Sequence, residues 1–76
     1  MTRYGVLMYE YLDGDTPLIG SRVFESEERA QRFAFQVAGR GERRADLSVA
    51  TVALACVWEC DEAGNFVRAT GDEFEG

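Results

Sequence analysis

Cys56 and Cys60 are the two thiols of the chain, separated by three residues. That spacing matches neither the CxxC of redox motifs nor the paired knuckles of structural zinc sites. The chain has no histidine to complete a ligand set or to serve as a general base. Placed on one continuous strand, the two cysteines would lie roughly 13 Å apart, beyond disulfide reach. Cys56 reads as core, and Cys60, at the strand end, as the more open thiol. Carboxylates cluster in two loops, Asp13 with Asp15 around Gly14, and Asp61 with Glu62. Neither cluster has the spacing of a calcium loop, and both read as turn residues. A catalytic carboxylate pair needs a walled cleft that raises one pKa, and so short a chain has little material for walls. No Gly-rich phosphate loop, serine elbow or nucleophile–histidine pair occurs. These residues therefore point to no catalytic residue, no metal and no cofactor.

Recognition is the chemistry left. Glu59, Asp61, Glu62, Asp72, Glu73 and Glu75 lie within the last eighteen residues, opposed only by Arg68, for a formal charge of −5 there. The segment reads either as a solvated face or as one that docks on a basic groove with electrostatically accelerated association. On the second reading Asp61, Glu62, Asp72 and Glu73 form the electrostatic surface. Every basic residue is an arginine, and Arg40, Arg43 and Arg44 make the one basic patch, a solvated loop or an anchor for a carboxylate-rich partner. Aromatic residues are 12% of the chain, more than one small core absorbs, and Tyr9, Tyr11 and Phe35 are the candidate interface anchors.

The elements that would position these side chains follow from periodicity. Arg3 to Leu12 is β-branched and aromatic and reads as a strand, and Asp13 to Pro17 as a turn. Leu18 to Phe24 returns as the second strand of a hairpin. Ser26 stands where a helix N-cap belongs, Glu27 and Glu28 follow at the positive end of the helix dipole, and the helix starts at Glu27. Ala30, Phe33, Ala34, Val37 and Ala38 keep one apolar face, Gly39 and Gly41 stop the helix, and Phe35 falls about 140° from Ala30, towards solvent. Arg40 to Ser48 shows no period and reads as a loop. Val49 to Cys60 reads as a single strand whose bulkier set, Val52, Leu54, Cys56 and Trp58, should meet the helix. Asp61 to Asn65 is then a hairpin loop, Phe66 to Ala69 a short fourth strand, and residues 71–76 a frayed acidic tail.

The expectation is a single α+β domain over residues 1–76, a four-stranded antiparallel sheet in strand-strand-helix-strand-strand order with one helix on one face. One short helix leaves the other face bare, with part of Tyr9, Tyr11 and Val57 open to a partner or to a second copy of the chain. The chain has 76 residues, a net charge of −6 and 46% apolar residues. That composition suits a folded, acidic domain and disfavours direct nucleic-acid binding. It has no run of eighteen apolar residues and no secretory layout at its start, so neither membrane nor export is expected.

Small size, acidic balance, absence of catalytic groups and this element order resemble the compact anti-CRISPR proteins of bacteriophages, in particular those directed at type I surveillance complexes. The resemblance covers the layout of the whole chain and carries no residue assignment. It implies a non-enzymatic inhibitor in the cytoplasm of a host bacterial cell, with Cas proteins as the partner. Such an inhibitor would occupy a basic channel and block target-DNA binding. The alternative is a homodimeric structural or regulatory module acting through its exposed sheet face.

Overall fold

The computed structural model describes residues 2–11 and 14–76; Leu12 and Asp13, at the expected strand end and turn, lie outside the described residues. Strand β1 (Arg3–Tyr9) pairs antiparallel with β2 (Leu18–Phe24). Helix α1 (Glu27–Val37) follows, then β3 (Gly41–Arg43), β4 (Val49–Thr51), β5 (Leu54–Cys60) and β6 (Phe66–Glu75). Four strands form an antiparallel sheet in the order β2-β1-β5-β6, and β3 and β4 form a separate two-stranded sheet.

The helix is built as its sequence requires. The Ser26 hydroxyl accepts from the Arg29 amide at 3.1 Å, satisfying one of the orphan donors of the first turn. Ala30, Ala34 and Val37 are buried against the sheet. Their small size lets the helix come down on Val6 and Met8 of β1 and Ala55 and Val57 of β5, all buried in the same cluster. Full burial of Val6, Met8, Val52 and Val57 stabilises by about 1.5–3 kcal/mol each.

Three sequence expectations need correction. The run Val49–Cys60 is two strands, not one, because the chain leaves the ladder at Val52 and Ala53. Ala50 and Val52 are buried, and burial resumes at Ala55 and Val57, so an odd step of three residues separates the inward sets. An odd step turns every later side chain to the opposite face. Ala55 and Val57 therefore meet the helix, while Leu54, Cys56 and Trp58 face away, the reverse of the bulk-based expectation. Arg40 to Ser48 is likewise not all loop. Gly41–Arg43 pairs with Val49–Thr51, Leu47 turns the hairpin at φ 70°, and the Arg44 side chain is ion-paired with Glu10.

The third correction concerns the tail. Residues 71–75 continue β6, with Glu73 opposite Cys56 and Glu75 opposite Leu54, and the Gly76 amide donates to the Ala53 carbonyl at 2.9 Å. Phe74 and Asp72 are half-buried on the helix side, where Phe74 packs against the core and Asp72 accepts from the Gln31 amide at 2.7 Å. Backbone pairing and this inward contact hold a segment whose composition alone suggests fraying.

Candidate functional site, a groove in the open face of the sheet

Side chains alternate across a strand, so burial of Val6, Met8, Ala55 and Val57 beneath the helix sends Gly5, Leu7, Tyr9, Leu54, Cys56 and Trp58 to the other face. The β3–β4 hairpin does not cover that face. Its ion pairs, Arg22 with Glu42 and Arg44 with Glu10, attach it to β2 and to the end of β1. Arg22 itself lies over the Phe33 ring, 5.1 Å from its centroid, on the helix side.

One end of the open face is closed by the β5–β6 turn. Gly5 leaves a gap that the Phe66 ring fills: a Cβ at Gly5 would stand 2.4 Å from the ring and 3.0 Å from the Cys60 sulfur. Trp58 meets the same ring edge-on at 6.2 Å. Cys60 is thereby buried at 3% exposure, and it is Cys56 that is half-open, reversing the expected roles of the two thiols. In the turn, the Asp61 carboxylate accepts from the Ala63 and Asn65 amides at 3.0 and 2.9 Å and from the Asn65 side chain at 3.0 Å. Bonds from the Asn65 backbone and then its side chain are the leading causes that hold Asp61 below the usual carboxylate range.

The other end is open, and β6 shapes it. Between Cys56 and Trp58 the β5 strand advances two residues, while β6 advances four, from Ala69 to Glu73. The extra residues bulge outward at Gly71, whose φ of 97° favours glycine. Thr70 repairs the ladder by donating its hydroxyl to the Val57 carbonyl at 3.0 Å. Beside the bulge lies a half-open groove of about 280 Å³, lined by Tyr9, Leu54, Cys56, Val57 and Trp58 and, on β6, by Ala69, Gly71, Asp72 and Glu73.

The groove is apolar and acid-edged. Glu73 accepts a weak bond from the Cys56 thiol at 3.8 Å, and the lining has no basic side chain. Burial, and then the charge of Glu73, push the Cys56 thiol up, away from the reactive thiolate. Burial, with Cys56 beside it, also pushes the Tyr9 phenol up, so both groove groups are neutral donors at neutral pH. Among the described residues no group of three or more Cys, Asp or Glu side chains is placed to hold a metal ion, and no helix is long and apolar enough to cross a membrane.

The sequence-predicted site residues are thus divided. Tyr9, Asp72 and Glu73 border one groove. Asp61 and Glu62 belong to the turn beyond Cys60, five residues along β5 from Cys56, or about 16 Å. Tyr11 is 66% exposed past the end of β1, and Phe35, 70% exposed on the helix, meets Phe74 edge-on at 5.9 Å. Phe35 therefore stands across the sheet from Tyr9. Leu54, Cys56 and Trp58 were missed as surface residues because their strand was read one step out of phase. The available signal was the run of small side chains, Ala30, Ala34 and Ala55, which marks where helix and sheet approach most closely. The chain matches no protein-family model, no curated protein and no solved structure.

Proposed function

We propose that the chain is a non-enzymatic binding protein that seats a basic surface of another protein on the open face of its sheet. The observation that carries this reading is the groove: two aromatic walls, Tyr9 and Trp58, an apolar floor and an acidic edge at Glu73, with no basic residue in the lining. Aromatic side chains in a concave, half-desolvated setting supply binding energy, and carboxylates at the rim steer a cationic partner. The net charge of −6 favours the same partner and opposes nucleic acid.

Resemblance in layout to the phage inhibitors of type I surveillance complexes gives this reading its specific form. The basic surface is then the DNA channel of a Cas complex, and the protein excludes target DNA by occupying it. Purified surveillance complex, titrated with the protein and then challenged with target DNA, should lose DNA binding at equimolar inhibitor. The inhibition should weaken as salt rises. Undiminished DNA binding at saturating protein removes the anti-CRISPR form of the proposal.

The same apolar face favours one other reading, a homodimer closed face to face. Sedimentation equilibrium at micromolar concentration separates the two, since a monomer excludes the dimer.

A further inference from the structure

Resting on the binding reading above, we infer that the groove between Tyr9, Trp58 and Glu73 receives an arginine side chain of the partner. Its volume, about 280 Å³, falls just below the roughly 300–1,000 Å³ of sites for drug-sized ligands. It suits one long side chain better than a cofactor. A lining with two aromatic rings, the Glu73 carboxylate and no cation selects a positive occupant. A second copy of the chain, itself at −6, is a poor match.

Arginine suits the groove better than lysine. Its planar guanidinium stacks on an aromatic face and offers a fork of donors to a carboxylate, whereas an ammonium is a strongly hydrated point charge. Asp72 is engaged by the Gln31 amide at 2.7 Å, whereas Glu73 has only the weak thiol bond at 3.8 Å and makes no ion pair among the described residues. Glu73 is therefore the carboxylate available to a guanidinium. Leu54 and Cys56 below it exclude water from the alkyl stem.

The test uses the whole chain, labelled with nitrogen-15, and blocked peptides of the form Gly-Arg-Arg-Gly, with lysine and citrulline versions as controls. The arginine peptide should shift the amides of residues 54–58 and 71–73 and the Trp58 indole, with a Kd of about 1 mM. The lysine peptide should bind about two- to fivefold more weakly, and citrulline, which lacks the charge, should not saturate. Glu73→Gln, an exposed edge substitution checked for fold by its unshifted core amides, should weaken arginine binding about tenfold. Equal binding of arginine and citrulline, shifts confined to the 61–65 turn, or no saturable shift overturns the inference. A partner protein that binds Glu73→Gln and wild type alike would remove the arginine pocket but leave the binding reading standing.

Discussion

Gly5 has no space for even a methyl group. A Cβ there would sit 2.4 Å from the Phe66 ring, so Gly5→Ala must displace the ring that covers Cys60. We expect a cost of about 1–3 kcal/mol in urea unfolding, together with a Cys60 that becomes open to alkylation in the folded state. A Gly5→Ala variant with wild-type stability would show that the ring is not seated there. In the wild type, Cys56 should be alkylated before Cys60, and slowly, because burial and Glu73 raise its pKa. The thiolate appears only above the ordinary thiol range, so the rate should still be rising at alkaline pH where a free thiol has levelled off. Glu73→Gln removes the repelling charge and should speed the reaction at fixed pH; an unchanged rate would separate Glu73 from the thiol.

At the scale of elements, two ion pairs tie β3–β4 to the sheet, and Glu10–Arg44 is the more buried of them, with side chains 11% and 32% exposed. Arg44→Ala leaves the Glu10 carboxylate buried without its cation and should cost about 1–3 kcal/mol. Glu10→Gln, which keeps an acceptor, should cost less. The β5–β6 turn depends on Asp61, whose pKa lies lower folded than unfolded. Its contribution is therefore complete above the ordinary carboxylate value, about 3.9, and is lost as pH falls through the depressed one. Acid titration followed at the Ala63 and Asn65 amides should show the turn loosening there, and Asp61→Ala should already be loose at neutral pH.

These elements were unequally legible in the sequence. Helix α1 carried redundant signals, Ser26 at the cap, two glutamates in the first turn and a stripe from Ala30 to Val37, and each agreed with the others. The first hairpin was equally plain in its pairing, although β1 ends at Tyr9, with Glu10 and Tyr11 outside the strand expected to reach Leu12. The groove was not, because its position depends on a single odd step at Val52 and Ala53 that periodicity does not reveal and bulk misreads. Strand β3, three residues long, is too short to show a period. The acidic end of β6 looked like tail because its pairing comes from tertiary contacts, the Glu73–Cys56 register and the Asp72–Gln31 bond. Tyr9 and Glu73 were nonetheless named from composition, and they meet at the groove.

For the whole molecule, the consequence is polarity between two faces. The helix side holds the buried core and the ion pair Arg22–Glu42, whereas the open side holds half-buried Leu7, Tyr9, Leu54, Cys56 and Trp58 beside Glu73 and Glu75. An uncovered apolar face costs solubility unless a partner uses it, and a net charge of −6, from fourteen acidic against eight basic residues, opposes self-association through it. The most direct test of the open face as the binding surface is site-specific photo-crosslinking in the cells that express the protein. A photoreactive residue at Leu54, on the groove floor, is compared with one at Gln36, on the solvent side of the helix. The account predicts a heterologous protein adduct from position 54 and none from 36. Adducts from position 36 alone, or from neither, would contradict it.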